Sequence, residues 1–498
     1  MSGSIRIGFL GAGHIATYHS KSIRHAAADL PFDVVRAGVF DPDVQRRRAF
    51  AAASGHVEMD SPLDVVRSCD AVYVCTWTSE HRPLVELAVQ HGCAVFCEKP
   101  LGVDLEDARA IRDMLRETTN QVGLVLRRSP AYLLAAELIA SPVAGRIMSV
   151  SLRDDQFIPI QGHYGSTWRR DVDKAGAGTL LEHSIHDIDM LHALVGSIES
   201  VSARSSNHHG FTGIEDVVAA SFTCRTPDGS VAHGVMNSVW HDNLARPSLR
   251  RIEIFCANRW VAIEGDDWYG PVTWTDSDGT SGSLEGQALV DATRHLTIGH
   301  ANPDAAFLLA VHEGGPALPD ADVAFAAHRV VDAMYRSAAW GGHSIRVDTP
   351  SLRIEQVSAE DVKPLRLDVL RRGMSNRSVD FDGDDHPETV HLAAFDERGG
   401  IVGVSTWIPR DCVDHPGKVA VQLRGMATAR HLQGTGIGAE LLAAGISRAA
   451  EQGVAVVWAN ARDAALDFYR RNGMVEVGEG FIEPVTGLPH HRVVTLLN

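Results

Sequence analysis

The N-terminal segment contains the feature that most constrains how this chain folds. A short apolar run at residues 5–10 is followed by GAGHIA, which has the G-x-G-x-x-A spacing, and then by a helical segment. Gly11 permits a tight turn, Gly13 lets a pyrophosphate approach the backbone, and Ala16 allows close packing of the helix on the strand. The free N–H groups and dipole of the helix start favour an anion there. The segment therefore predicts a strand–turn–helix unit that binds a dinucleotide.

Three further apolar runs repeat this strand–helix alternation, and each is followed by polar residues. They are residues 34–40 before Asp41, residues 71–75 before Thr76 and His81, and residues 93–97 before Glu98, Lys99 and Pro100. Strands at this spacing form a parallel sheet whose carboxyl ends line one crevice. Because an acidic residue after the second strand binds a ribose diol and repels a 2′-phosphate, Asp41 favours NAD over NADP.

Residues 176–196, GAGTLLEHSIHDIDMLHALVG, form a second informative segment. After its glycines the apolar spacing predicts one continuous helix from Leu180. On that helix Glu182, His186 and Asp189 stand at i, i+4 and i+7 and share a face. A carboxylate one turn from an imidazole can orient the ring and raise its basicity, which suits acid–base chemistry. An ordinary solvated polar face would give the same pattern.

A metal site is the alternative for this segment, because His183 and His192 accompany the carboxylate and the imidazole. These two histidines do not share the face of Glu182 and His186, and no cysteine or further histidine supports them as ligands. The sequence therefore predicts no metal.

The motifs together resemble the Gfo/Idh/MocA oxidoreductases over roughly residues 4–348. The likeness also includes Trp168-Arg169 before the glycines, the E-x-x-x-H-x-x-D segment from Glu182, and residues 330–347 as a last helix and strand. The sequence departs from the family pattern at Glu182, usually Asp, at Ser184, usually Gly, and at Trp77-Thr78, commonly Pro-Asn. These departures leave the substrate more open than the reaction type.

The resemblance implies roles for individual residues. Lys99 would bind the reacting hydroxyl and relay its proton, and His186 would be the general base during oxidation, helped by Glu182. Asp189 would lie behind these groups at the substrate site. The remaining implied residues are Trp168 and Arg169 in the substrate pocket, and Gly11, Gly13, His14, Ile15, Asp41, Thr76, His81 and Glu98 at the cofactor.

The strand and helix signals restart after residues 348–350. Residues 351–370 predict a strand, an N-cap and a helix, and residues 420–428 predict another strand. That strand leads into QGTGIG at residues 433–438, which opens a long amphipathic helix. Glycines before a helix N-terminus form a cradle of backbone N–H groups, which predicts a second anion site.

Residues 351–498 resemble the GNAT acyltransferases through this loop and through NARDAALDFYRRNGM, which follows a strand predicted at residues 454–458. The resemblance implies that Tyr469 protonates the departing coenzyme A thiolate, although packing in the core beside Phe468 is the alternative. The sequence does not indicate the base for the acceptor amine. The residues implied to bind acetyl-CoA are Gln433, Gly434, Gly436, Gly438 and Asn460.

The expected organisation is three α/β or α+β domains. Residues 1–123 would form a doubly wound Rossmann sheet, residues 124–348 an α+β domain with an open, mainly antiparallel sheet, and residues 351–498 a GNAT α/β domain. Alternating polarity and turn signals over residues 147–276 support the second sheet. By resemblance such a sheet pairs with that of another subunit, so a homo-oligomer, a dimer or tetramer, is expected.

Composition narrows the partners to small molecules. A net charge of −17 without a segregated basic patch disfavours nucleic acid. No apolar run approaches the roughly 20 residues that span a bilayer, and the N-terminus lacks signal-peptide architecture. The seven cysteines are scattered, which is typical of reduced thiols in the cytoplasm.

The sequence thus predicts a bifunctional enzyme. One part would interconvert a secondary alcohol and a ketone on a sugar, nucleotide sugar or cyclitol with NAD, and the other would N-acetylate an amine of amino-sugar or natural-product metabolism. The fusion suggests that a separate aminotransferase acts between them. The alternatives are a dehydrogenase whose GNAT domain only docks or senses acyl-CoA, and a redox sensor that binds NAD without turnover. Lys99 together with His186 argues against the sensor.

Overall fold

The computed structural model describes residues 3–162, 164–297, 299–347, 352–373, 376–396, 400–433, 436–484 and 486–497. The chain divides into two compact units, residues 1–347 and 348–498. Residues 348–350, after which the strand and helix signals restart in the sequence, lie outside the described residues.

The N-terminal part of the first unit builds a parallel sheet with helices between its strands. Among the described residues six strands pair in the order β3-β2-β1-β4-β5-β6. β4 and β5 are buried along their whole length, as expected when helices cover both faces. The strand order reverses between β1 and β4, which opens a crevice at their carboxyl ends. The predicted doubly wound Rossmann sheet is confirmed. Its elements are β1 (Ser4–Leu10), α1 (His14–Ala26), β2 (Asp33–Phe40), α2 (Val44–Ser54), β3 (Val57–Glu58), α3 (Pro62–Ser68), β4 (Ala71–Val74), α4 (His81–Gln90), β5 (Ala94–Cys97), α5 (Leu105–Leu115) and β6 (Asn120–Val122).

The rest of the first unit forms a second sheet. Its nine described strands follow the order β14-β13-β12-β11-β7-β10-β9-β8-β15 and pair antiparallel, except that β7 and β10 are parallel. Burial alternates along β10, so one face of the sheet is covered and the other is open. The predicted open, mainly antiparallel sheet is confirmed. The elements are α6 (Pro130–Ala140), β7 (Ile147–Phe157), α7 (Val172–Ala175), α8 (Thr179–Glu182), α9 (Ile185–Leu194), β8 (Ser197–Ser206), β9 (Val217–Arg225), β10 (Val231–His241), β11 (Leu249–Cys256), β12 (Arg259–Asp266), β13 (Gly270–Asp276), β14 (Ser281–Leu284), α10 (Gly286–Thr293), α11 (Pro303–Glu313), α12 (Ala321–Ala339) and β15 (Ile345–Arg346).

The prediction of one continuous helix from Leu180 is wrong, because the segment forms two helices, α8 and α9. The N–H groups of His183 and Ser184 both bond to the carbonyl oxygen of Thr179, which closes α8, and α9 starts afresh at Ile185. Glu182 and His186 therefore belong to different helices, and the i, i+4 argument does not apply to them.

The second unit has a mixed sheet of seven described strands in the order β16-β17-β18-β19-β20-β22-β21. All neighbours are antiparallel except β19 and β20. The strand predicted to end at Trp458 continues to Arg462, so Asn460 lies within it. No described helix of the chain is long and apolar enough to cross a membrane. The elements of this unit are β16 (Arg353–Val357), α13 (Ala359–Leu370), β17 (Val390–Phe395), β18 (Ile401–Pro409), β19 (Ala420–Thr428), α14 (Ile437–Glu451), β20 (Val456–Arg462), α15 (Leu466–Arg471), β21 (Val475–Ile482) and β22 (Pro489–Leu496).

Candidate functional site

The turn between β1 and α1 is shaped for a phosphate. Gly11 has φ +93°, and a Cβ there would overlap the carbonyl oxygen of Cys75. Gly13 is the N-cap of α1, provides no side-chain cap, and has open space where a Cβ would stand. His14 and Ile15 begin the helix, with no acidic residue in the first turn. The uncapped N–H groups therefore fit the pyrophosphate of a dinucleotide.

Asp41 follows β2 and closes this turn from inside. Its Oδ2 accepts the backbone N–H of Ala12 at 2.9 Å, and its Oδ1 accepts that of Asp43 at 2.9 Å. Nη1 of the partly exposed Arg46 lies 3.5 Å from Oδ2. Because a carboxylate has about four lone-pair sites, Asp41 still has acceptor capacity for a ribose diol.

The structure brings Lys99, Glu182 and Arg169 together at the carboxyl end of β5. Lys99 Nζ donates to the carbonyl oxygen of Glu182 at 2.5 Å and lies 4.0 Å from Glu182 Oε2. Arg169 Nε donates to the same Oε2 at 2.7 Å, and its guanidinium stacks on the Trp168 ring at 4.7 Å. Residues from three separate segments of the sequence thus meet at the buried carboxylate of Glu182.

The environment of this cluster lowers the proton affinity of its bases. Burial lowers the pKa of Lys99, Glu182 works against that shift, and Arg169 adds to it. The pKa of His186 lies well below its ordinary value because of burial and the positive charges of Lys99 and Arg250. The His186 ring is therefore neutral at pH 7, and Lys99 gives up its proton more easily than a surface lysine does.

The expected help from Glu182 to His186 is not present. Glu182 is bonded to Arg169, and among the described residues no hydrogen bond joins it to His186, whose buried Nδ1 has no partner. The carboxylate therefore does not raise the basicity of the ring. Asp189 is also occupied, since Arg127 Nε donates to both of its oxygens at 2.9 Å.

Glu98 and His81 are buried and hold the loop that carries Lys99. His81 Nδ1 lies 3.0 Å from the carbonyl oxygen of Pro100. Glu98 Oε2 accepts the backbone N–H of Lys99 at 3.1 Å, and its Oε1 lies 2.8 Å from His19 Nε2. These contacts give both side chains a positioning function, in addition to the cofactor contact that the resemblance implies. Thr76, which follows β4, is partly exposed, and its Oγ1 donates to the carbonyl oxygen of Trp77 at 3.3 Å.

Sequence reasoning missed the buried charges behind His186. Arg250 on β11 pairs with Asp187 at 2.8 Å, with Asp154 at 3.5 Å and with Asp267, and its Nη2 lies 3.2 Å from His183 Nε2. Burial raises the pKa of Asp187, while Arg250 outweighs burial at Asp154 and lowers the pKa of that carboxyl. No local sequence pattern predicts this network, because its members come from β7, α9, β11 and the turn after β12.

The replacement of the usual glycine by Ser184 adds to this network. Ser184 Oγ lies 2.8 Å from Asp154 Oδ2 and 2.7 Å from Ser238 Oγ. The hydroxyl thus ties the break between α8 and α9 to the second sheet. Within the described residues, no group of three or more His, Cys, Asp or Glu side chains is arranged to hold a metal ion.

The second unit has an opening between two parallel strands. β19 pairs with β20 only as far as Leu423 with Ala459, although both strands continue beyond that pair. The N-terminus of α14 follows β19. Gly436 is its N-cap with φ +103° and no side-chain cap, so its N–H groups are available to an anion.

The predicted acetyl-CoA residues lie around this opening. Gln433 Nε2 donates to the carbonyl oxygen of Thr428 at 3.2 Å. A Cβ at Gly438 would stand 3.3 Å from Phe468 Cε2. Asn460 is exposed on β20. Gly434 lies outside the described residues.

The surroundings of Tyr469 are compatible with both interpretations of its role, core packing and proton donation. It is buried on α15 within the core, and its ring packs edge-on against Phe468 at 5.1 Å between centroids. Burial raises the pKa of its hydroxyl to about 12. The phenol therefore stays protonated at neutral pH, as a proton donor must.

Comparison with known families divides the chain in the same way. Residues 5–125 match the Gfo/Idh/MocA oxidoreductase family with its NAD-binding Rossmann fold, and residues 132–262 match the Gfo/Idh/MocA C-terminal domain. Residues 359–474 match the acetyltransferase (GNAT) family.

Three of the proteins to which this chain is similar are dehydrogenases by name. An inositol 2-dehydrogenase of Rhizobium meliloti is 26% identical over 347 residues, 68% of this chain and 97% of that protein. The scyllo-inositol 2-dehydrogenase (NAD(+)) of Bacillus subtilis is 30% identical over 211 residues, 41% of this chain and 58% of that protein. A levoglucosan dehydrogenase solved with NADH has a TM-score of 0.59 at 21% identity, covering 69% of this chain and 99% of that chain. At that identity the structural likeness shows the fold alone.

Proposed function

This chain belongs to the Gfo/Idh/MocA oxidoreductase family and carries a GNAT acetyltransferase domain, and on that premise we propose that it is a bifunctional enzyme. The first unit interconverts a secondary alcohol and a ketone on a sugar, nucleotide sugar or cyclitol, and it prefers NAD to NADP. The second unit transfers an acetyl group from acetyl-CoA to an amine. The similarity to inositol dehydrogenases supports a polyhydroxylated ring as the first substrate.

The observation that carries the redox proposal is the position of Lys99. Its ammonium stands at the crevice edge, held by Glu182, in surroundings that lower its pKa. Bound nicotinamide supplies hydride acceptance and donation. Once Lys99 has lost a proton, its amine holds the reacting hydroxyl and takes up the hydroxyl proton, and the neutral ring of His186 is the general base that accepts this proton in turn. Arg169 and Trp168 bound the space where the ring of the substrate lies.

The acetyl-transfer proposal rests on the uncapped start of α14 and on the protonated phenol of Tyr469. The amine nitrogen forms the new bond to the acetyl carbon while the thioester C–S bond breaks. Tyr469 gives its proton to the departing sulfur, and the amine proton passes to solvent.

Native mass spectrometry of the full-length protein, followed by titration with NADH, NADPH and acetyl-CoA, tests both sites. We expect tight binding of a nicotinamide and of acetyl-CoA, with NADH preferred because of Asp41. Binding of the nicotinamide alone would contradict the second activity and assign that domain to docking or sensing.

Turnover is tested with Lys99→Met. The variant is expected to bind NADH normally and to lose oxidation of cyclitols and sugars by at least about a hundredfold. Lys21, an exposed lysine of α1, gives the matched control Lys21→Met. Unchanged turnover in Lys99→Met would contradict the role of Lys99, and NADH binding without any turnover in the wild type would favour a redox sensor.

We further propose that both reactions serve one amino-sugar or natural-product pathway, in which an aminotransferase supplies the amine, and that the protein is a homo-oligomer. Acetylation of amino sugars by the full-length protein would support the first proposal. Acetylation of amino acids or peptides alone would contradict it. Light scattering of the purified protein tests the oligomer, and a monomer mass would overturn it.

A further inference from the structure

Three arginines of the second unit converge beside the opening between β19 and β20. Arg371 follows the end of α13, Arg424 is the first residue of β19 beyond its last pair with β20, and Arg462 ends β20. Arg371 Nη1 and Arg462 Nη2 each donate to the carbonyl oxygen of Leu370 at 3.3 Å. The last two arginines thus come from the strands on either side of the opening.

The Phe381 ring contacts two of these arginines, Arg371 and Arg424, and a further one, Arg366. The guanidinium of Arg424 lies 4.9 Å from the centroid of the Phe381 ring, that of Arg371 lies 5.5 Å from it, and that of Arg366 lies 4.5 Å from it. Cation–π contacts keep the guanidinium groups in place without cancelling their charge.

Arg366 is already neutralised, and the other three arginines are not. Arg366 is fully buried and bonds Asp384 Oδ2 at 2.6 Å and Oδ1 at 3.1 Å. Among the described residues no carboxylate forms an ion pair with Arg371, Arg424 or Arg462, which bond at most to backbone carbonyls.

Burial and neighbouring positive charges disfavour the protonated forms of Arg371 and Arg424. Burial lowers the pKa of Arg371, and so does the nearby charge of Arg462, while Glu483 opposes both. Burial and the charge of Arg410 lower the pKa of Arg424, and the more weakly acting carboxylates of Glu483, Asp384 and Asp382 oppose this shift. Keeping the buried guanidinium of Arg371 and the partly buried one of Arg424 away from water costs free energy, which a bound anion would recover.

We propose that Arg371, Arg424 and Arg462 bind an anionic group, a carboxylate or a phosphate, on the amine that this domain acetylates. This inference rests on the proposed acetyl transfer. Guanidinium groups recognise both anions through paired N–H donors, so the shared chemistry is an oxyanion. The location at the mouth of the opening leaves the amine end of the acceptor free to enter between the strands.

Acetyl transfer by the full-length protein to three matched amines tests the proposal. The amines are glucosamine, glucosamine 6-phosphate and 2-amino-2-deoxyglucuronate. The wild type is expected to prefer at least one anionic amine over glucosamine by about tenfold or more in kcat/KM, and the preferred one identifies the anion. Equal kcat/KM for all three would overturn the proposal and leave acetyl transfer itself established.

The informative variant is Arg424→Gln, because the Arg424 side chain forms no hydrogen bond within the part of the chain that the structure describes. It is expected to lose the preference for anionic amines and to keep the wild-type Kd for acetyl-CoA, while Arg424→Lys restores part of the preference. Arg372→Gln, an exposed neighbour of Arg371, is the matched control. An equal loss of kcat/KM for glucosamine and the anionic amines in Arg424→Gln would overturn the proposal.

A binding measurement separates this proposal from the proposed function when no amine of the panel reacts. Inorganic phosphate is titrated into the protein saturated with NADH and coenzyme A, so that their own phosphate sites are filled. The unfolding temperature of the wild type is expected to rise with phosphate, and that of Arg424→Gln is not. No difference between the two would overturn the anion site, whereas failure to bind acetyl-CoA would overturn the acetyltransferase instead.

Discussion

Replacing Glu182 by glutamine is expected to make Lys99 lose its proton more readily. Lys99 Nζ and Glu182 Oε2 are 4.0 Å apart, and their side chains are only 15% and 3% exposed. Two unit charges at that distance attract by about 4 kcal/mol at an effective dielectric constant near 20. The attraction favours the protonated lysine, so its removal lowers the pKa of Lys99 further.

The size of the effect depends on Arg169, which shares the carboxylate at 2.7 Å. Because Glu182 interacts with Arg169 as well as with Lys99, only part of its negative charge acts on the pKa of Lys99. Lys99 also keeps its hydrogen bond to the carbonyl oxygen of residue 182 in the variant. We therefore expect the midpoint for deprotonation of Lys99 to fall by at least about one pH unit in Glu182→Gln.

Competitive labelling of lysines with a trace amine reagent measures this midpoint without a known substrate. The labelled Lys99 peptide is quantified by mass spectrometry from about pH 6 to 11, with the exposed Lys21 as internal reference. Glu182→Asp retains the charge and is expected to stay closer to the wild type. A midpoint that is unchanged or higher in Glu182→Gln would refute the reasoning that Glu182 controls the proton on Lys99.

Three further predictions concern other parts of the chain. Burial alone would lower the pKa of His19, but the carboxylates of Asp304 and Glu98 outweigh burial and raise this pKa to about 10. The protonated His19 therefore contributes its full stabilisation below about pH 6.5, and this stabilisation is lost as the pH rises through 10. The unfolding temperature should therefore fall more steeply between about pH 6.5 and 10 in the wild type than in His19→Gln. Equal slopes of unfolding temperature against pH would contradict the prediction. Gly436→Val forces a branched side chain to φ +103°, so calorimetry should show acetyl-CoA binding at least about tenfold weaker; unchanged affinity would count against this cradle. Tyr469→Phe should keep the Kd for acetyl-CoA but lower kcat for acetyl transfer by at least about tenfold, and an unchanged kcat would assign Tyr469 to core packing alone.

Much of the architecture follows from the sequence because its signals are local. GAGHIA after an apolar run and QGTGIG before a long helix each specify a strand, a turn and a helix start within about ten residues. The alternation of polar and apolar residues likewise specifies an open sheet, since burial on one face follows directly from a period of two.

Local signals failed where tertiary contacts override helical spacing. Residues 180–194 have the apolar periodicity of one helix, yet Ser184 bonds to Asp154 and Ser238 on the second sheet, and the helix breaks there. The predicted interaction between Glu182 and His186 depended on that helix, and the described residues do not form it.

The sequence by itself determined the family resemblances, the order of the domains along the chain and the residues at the strand ends. Each of these features depends on residues that are neighbours in the chain. Only the tertiary structure decided which charges pair: Glu182 with Arg169 and Asp189 with Arg127, whereas Arg424 has no carboxylate partner among the described residues. The physical reason is that ion pairing depends on distances of a few ångströms between residues far apart in sequence. Those pairings set the proton affinities of the site, and with them its chemistry.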